Sequence, residues 1–92
     1  MSPLEPTAYL EPLRTFIEER HLDGRATLAD DAPLLEWGVI DSLALADLMA
    51  FIEVRFALSV PLAAITPENF RTIATIATML GALAGDTARD AV

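Results

Sequence analysis

Few side chains in this sequence of 92 residues could do chemistry: one histidine, no cysteine, three serines and a scatter of acids. Nucleophilic catalysis by Ser42 would need a positioned base, and no G-x-S-x-G elbow surrounds it. His21 falls at the expected end of a first helix, where an imidazolium is favoured by the field of the helix C-terminus. It is read as a solvated residue rather than as a base or ligand. The pairs Glu18-Glu19 and Asp30-Asp31 lie where solvated faces and loops are expected. Without cysteine there is no disulfide framework, zinc knuckle or catalytic thiol. With no glycine-rich phosphate loop and no ligand cluster either, there is little room for an active site. Neither catalytic residues nor a metal site are expected.

Ser42 remains, and its setting gives it weight. Pro33-Leu34-Leu35-Glu36-Trp37-Gly38-Val39-Ile40-Asp41-Ser42-Leu43 reads as an apolar loop that tightens at Gly38 and delivers a serine to the first turn of a helix. Gly38 tolerates a positive φ where a side chain would clash. Either Asp41 or Ser42 can cap the helix, by accepting a hydrogen bond from a free first-turn amide. Beyond Ser42, the residues Leu45, Leu48, Met49, Ile52 and Phe56 recur at three- and four-residue steps and form one face. A second apolar line, Leu43, Ala46, Ala50 and Val54, runs beside it with Asp47 and Glu53. One helix cannot bury two opposite faces in so small a domain, so the second is available to partners. A phosphodiester on Ser42 would meet the positive end of the helix dipole, although Asp41 opposes this.

The elements that must position this serine are helical. A first helix lies within Thr7 to Leu22, with Leu10, Leu13, Phe16, Ile17 and Arg20 in register. Pro12 requires that it begin close to Glu11 or kink, and a start at Thr7 to Ala8 is preferred. Asp23-Gly24 ends it. Residues 25 to 41 hold no period and are read as an ordered crossover, with room for a single helical turn around Pro33 to Trp37. A second helix runs from about Ser42 to Phe56 or Ala57 and is stopped by Ser59-Val60-Pro61. Leu62 to Ile65 is indeterminate. Thr66-Pro67-Glu68 opens a short helix ending near Phe70. Thr72 can cap a last helix with a stripe of Ile73, Ile76, Ala77, Leu80 and Leu83. Gly81 weakens that helix, and Gly85 begins a frayed acidic tail. No stretch reads as a strand. The expectation is one all-α domain over 1–92, a four-helix bundle of three main helices and one short one, with loose termini at 1–6 and 86–92.

Charge narrows the partners. Six arginines, no lysine and fourteen acids give a formal net charge of −8, which argues against nucleic acid and anionic membranes and for cationic protein surfaces. No run approaches a membrane span, and the start lacks a signal-peptide pattern. A cytoplasmic protein, monomeric, is expected.

At Gly38-Val39-Ile40-Asp41-Ser42-Leu43 the sequence resembles the acyl and peptidyl carrier proteins of fatty-acid, polyketide and nonribosomal peptide pathways. The likeness extends from roughly Leu13 to Leu83. It takes in the long first loop, the Phe56 to Pro61 segment and the Thr66 to Ile76 close. It implies a noncatalytic tether: 4′-phosphopantetheine attached covalently to Ser42 and an intermediate held as a thioester on its terminal sulfur. The absence of cysteine is compatible with an imported thiol. The block from Pro33 to Ser42, with Val60-Pro61, Ile65-Thr66 and Phe70-Arg71, looks more closely like the discrete (type II) peptidyl carriers that hold proline while it is oxidised to a pyrrole. Several of that group have asparagine where this chain has Asp41, as carriers of many other kinds do.

By this resemblance Ser42 carries the arm and Asp41 helps a phosphopantetheinyl transferase hold its metal and substrate. Leu43, Ala46, Asp47, Ala50 and Val54 form a docking face, with Trp37, Val39 and the Ile65 to Phe70 region at its edge. Trp37 could equally be a core residue closing the loop. The implied partners are the transferase, an adenylation enzyme that loads an amino acid, and tailoring enzymes such as a flavin dehydrogenase or an acyltransferase in antibiotic biosynthesis. Docking is expected to be weak, through small interfaces, and salt-dependent. Two alternatives stand: a carrier of fatty or polyketide acyl groups, and a helical interaction module in which Ser42 is only a cap.

Overall fold

The computed structural model of the chain describes residues 7–24 and 27–90, with side chains through Gly85. The expected lead-in at 1–6 lies outside the described residues. Three helices follow one another: α1 over Thr7–His21, α2 over Ser42–Phe56 and α3 over Ile73–Asp90, with a 3-10 turn at Leu62–Ala64. The described residues contain no strand. This is the small all-α bundle that the periodicity predicts.

α1 starts at the preferred position and passes through Pro12 without ending. Tyr9, Leu13 and Ile17 are its buried line, and it packs against both α2 and α3. It stops where expected, with Asp23 at φ 55° and Gly24 at φ 69° reversing the chain. The Gly24 amide then donates back to the Glu18 carbonyl at 2.9 Å.

The crossover is held at both ends. The Arg14 Nε donates to the Leu28 carbonyl at 3.0 Å, the Leu28 amide donates to Glu18 Oε2 at 2.7 Å, and Arg14 also pairs with Asp30. On the other side the Ala74 amide donates to the Asp30 carbonyl at 3.0 Å, and the Leu34 amide to the Arg71 carbonyl at 2.8 Å. Between these ties Leu28, Ala32, Leu34 and Ile40 drop into the core. Burying four apolar side chains from an aperiodic stretch is what gives a long loop a single conformation.

α2 ends at Phe56, within the expected Phe56 or Ala57, through Ala57 in the left-handed conformation, φ 56°. Two other boundaries differ from the sequence reading. The short helix expected at Thr66 to Phe70 is a lone turn, closed by the Phe70 amide on the Thr66 carbonyl at 3.2 Å, while the 3-10 turn forms in the indeterminate Leu62 to Ala64. α3 continues through Gly81 and Gly85 to Asp90, where a frayed tail had been expected from Gly85. Two glycines lower helix propensity by about 1 kcal/mol each, too little by itself to end a helix whose preceding turns are packed. At its start α3 is capped reciprocally: the Thr75 amide donates to Thr72 Oγ1 and the Thr72 amide to Thr75 Oγ1, both at 3.0 Å. Ile73, Ile76, Ala77 and Leu80 are its buried stripe, joined by Met79, with Leu83 partly covered.

Candidate functional site: the N-terminus of helix α2

The loop tightens as Pro33 to Gly38. The Trp37 amide donates to the Pro33 carbonyl at 3.0 Å, and the Gly38 amide to the Leu35 carbonyl at 3.1 Å. Gly38 adopts φ +71°, and the Val39 amide then returns to the Leu34 carbonyl at 2.9 Å. A side chain at Gly38 would be strained by that φ, although nothing lies within 4 Å of a Cβ there. The turn reverses the chain so that buried Ile40 leads straight into the helix.

Between the two candidate caps the structure chooses Asp41. It is extended, at φ −106° and ψ −169°, and its Oδ1 accepts from the Ala44 amide at 2.8 Å. Its carbonyl accepts the first helical bond from the Leu45 amide, also at 2.8 Å. Ser42 is therefore the first residue of α2, exposed, with the capping role already filled by its neighbour.

Beside it lies a groove of about 390 Å³, lined by Asp41 and Ser42 and by the apolar side chains Leu35, Ile40, Leu45, Ile65, Pro67 and Phe70. Its far wall is the 65–70 segment, held in shape by the Asn69 Nδ2 on the Ala64 carbonyl at 2.7 Å and the Asn69 amide on Thr66 Oγ1 at 3.1 Å. The resemblance set the Ile65 to Phe70 region at the edge of the docking face; that it walls a groove with Leu35, Ile40 and Leu45 was not legible from the sequence.

The second face of α2 is uncovered. Leu43 is 74% exposed and Val54 87%, and Ala46 and Ala50 are exposed between them. Trp37 is 64% exposed, so it does not close the core, and Val39 is half-buried. Asp47 alone departs from the open face, because it is half-buried and lies 3.6 Å from Arg20 of α1. The opposite line, Ala44, Leu48 and Ile52, is buried, with Leu45, Met49 and Phe56 packed partly against the core.

His21 sits in the last turn of α1 with its ring edge-on to Phe16, centroids 5.9 Å apart. Among the described residues no three of His, Cys, Asp and Glu converge as a metal site. Nor, among them, is any helix long and apolar enough to cross a membrane. A larger groove of about 530 Å³ runs along α3 between Ala64, Asn69, Thr75, Met79 and Leu83, and the hydroxyls of its Thr75 and Thr78 donate to the Asn69 and Ala74 carbonyls, both at 3.0 Å.

A chain from a solved structure titled "Crystal structure of FAD-dependent dehydrogenase" superimposes on this one with a TM-score of 0.72 and 37% identity, over 75% of this chain and 99% of that one. A search of curated proteins found no significant match. Residues 15–80 match the family described as "Phosphopantetheine attachment site". A helical bundle, a serine offered at a helix mouth and this match agree: the chain belongs to the phosphopantetheine-attachment family of acyl and peptidyl carrier proteins, whose prosthetic group is covalently bound 4′-phosphopantetheine.

Proposed function

We propose that Ser42 carries the phosphopantetheine arm and that the cargo is an aminoacyl group, prolyl in the first instance, oxidised to pyrrolyl while tethered. The observation that carries the attachment site is the division of labour at the helix mouth. Asp41 satisfies the cap, so esterifying Ser42 costs the helix no hydrogen bond. Ser59, the other serine among the described residues, is also exposed but lies in an irregular segment after α2, without a helix N-terminus behind it.

The residues around Ser42 fit the group. A phosphodiester at the first helical position faces the free amides and positive end of α2. The open apolar groove at its side can take an uncharged part of the arm or its cargo without leaving a buried charge unpaired. The arm supplies a terminal thiol, on which an acyl group is held as a thioester. The chain's own part is to present that thioester and to exchange clients. For the second task Leu43, Ala46, Ala50 and Val54 form the docking face, with Trp37 and Val39 at its edge and Asp47 at its margin. Asp41 assists the transferase in holding its metal.

Support for oxidation of the tethered cargo by a flavin enzyme is the neighbour's title, which names a FAD-dependent dehydrogenase and no cargo. The matched chain is spanned almost completely by three quarters of this 92-residue one. It is therefore of about the same length as the matched part of this chain. A flavin dehydrogenase as client of the present chain follows by analogy. The other partners in this reading are a phosphopantetheinyl transferase, an adenylation enzyme and an acyltransferase, within nonribosomal antibiotic biosynthesis.

Offering the holo protein to proline-, other amino acid-, aryl acid- and fatty acid-activating enzymes tests the cargo. Efficient proline loading is expected, followed by loss of hydrogen from the ring when a flavin dehydrogenase is added, both electron pairs passing to flavin. Loading by a fatty acid and refusal of proline would overturn the aminoacyl reading in favour of an acyl carrier.

A further inference from the structure

The charges around the exposed face of α2 are arranged in a way that net charge does not disclose. At 100° per residue, Ala46, Ala50, Leu43 and Val54 make one continuous stripe with no ionisable group. Carboxylates stand only at its margins, Glu53 on one side and Asp47 on the other. Glu53 is in no ion pair among the described residues.

Asp47 turns toward α1, where its Oδ2 lies 3.6 Å from Arg20 Nε and its side chain keeps only 34% of its exposure. Arg20 is aimed there by an aromatic shelf. Its guanidinium lies 5.9 Å over the Phe16 ring, and Phe16 stacks on Phe51 of α2 at 4.3 Å with an 18° interplanar angle. The cation thus crosses from one helix to the other over a fixed surface and meets the carboxylate at the edge of the stripe.

We propose that Arg20 is an internal counter-ion that withdraws Asp47 from partner recognition, so that this face takes a partner surface of aliphatic side chains rather than one bringing lysine or arginine to Asp47. The inference rests on the docking face proposed above. A cation from a partner would have to displace Arg20, exchanging one water-facing ion pair for another with little gain. Aliphatic groups packing on Leu43 and Val54 remove apolar area from water, a gain that salt does not screen. Docking at this edge is therefore less salt-sensitive than a chain of charge −8 suggests.

The test is the KM for the carrier in phosphopantetheine transfer by a broad-specificity transferase with coenzyme A and magnesium, at low and high sodium chloride. Arg20→Gln frees Asp47 and is expected to lower KM at low salt by about two- to fivefold. The gain should vanish at high salt and in Arg20→Gln/Asp47→Asn. Arg55→Gln removes the same charge from a site away from Asp47 and should produce no such gain. An unchanged KM in Arg20→Gln, a gain that survives Asp47→Asn, or an equal gain in Arg55→Gln would each overturn the proposal. Circular dichroism of each variant verifies that it is folded. If the wild-type chain takes up no phosphopantetheine, the carrier reading fails and takes this inference with it. If uptake is normal and only the coupling between Arg20 and Asp47 is missing, the counter-ion alone is wrong.

Discussion

Asp41 Oδ1 accepts the Ala44 amide proton at 2.8 Å, and this bond sets the position of Ser42, one residue inside the helix and free of the capping task. Cap and charge are separable at this position, since asparagine caps as well as aspartate and alanine does not. Asp41→Ala is expected to cost about 1 kcal/mol of stability, read as a lower urea midpoint. Asp41→Asn should hold the midpoint near wild type while raising the magnesium concentration needed for half-maximal phosphopantetheine transfer. Equal transfer by wild type and Asp41→Asn at every magnesium concentration would remove Asp41 from the metal-holding role.

The two faces of α2 predict opposite outcomes. Leu48 is buried against the core and Val54 is 87% exposed. Leu48→Ala removes packed methyl groups and should destabilise by about 2–5 kcal/mol. Val54→Glu should change stability by no more than about 0.5 kcal/mol yet impair loading by partner enzymes. Denaturation curves and loading kinetics on the same two variants check this. A large fall in stability for Val54→Glu would mean that the faces are exchanged.

Alkaline pH isolates one side chain. The sequence has a single tyrosine, no lysine and no cysteine, so Tyr9 is the one side chain whose ordinary titration falls near pH 10. Tyr9 is buried, edge-on to Phe56 with centroids 4.8 Å apart, and burial pushes its phenol above the ordinary value of 10.0. The folded state therefore holds this proton more tightly than the unfolded chain does. Its contribution to stability is complete below pH 10 and is lost as pH rises through the raised value. Urea midpoints measured from pH 8 upward should fall above pH 10 in wild type, and Tyr9→Phe should flatten that fall. An identical slope in the variant would contradict it.

How far the sequence discloses this arrangement follows from what each residue needs. The stripes of α2 and α3 are periodic, and local amide capping depends on residues within one turn, so those stripes, the Thr72 cap and a cap at Asp41 or Ser42 are legible, while the choice of Asp41 is made by the structure. The end of α2 at Phe56 falls within the expected bounds, but its left-handed cap was not legible, because alanine is not a residue from which one is expected. The groove beside Ser42 draws on four separate segments, at Leu35, at Ile40 to Ser42, at Leu45 and at Ile65 to Phe70, and no local pattern joins them. The Arg20–Asp47 pair spans 27 positions and depends on the stacking of Phe16 on Phe51, a relation visible only once α1 and α2 are packed. Trp37 was ambiguous for a similar reason, since a tryptophan in an apolar loop suits a core or an exposed edge until the turn at Gly38 is in place.

Intact-protein mass after incubation with coenzyme A, magnesium and a broad-specificity phosphopantetheinyl transferase bears most directly on the whole account. A gain of one phosphopantetheine is predicted for the wild-type chain, with none in Ser42→Ala and an undiminished gain in Ser59→Ala. No gain in the wild type, or a gain that persists in Ser42→Ala, would contradict it.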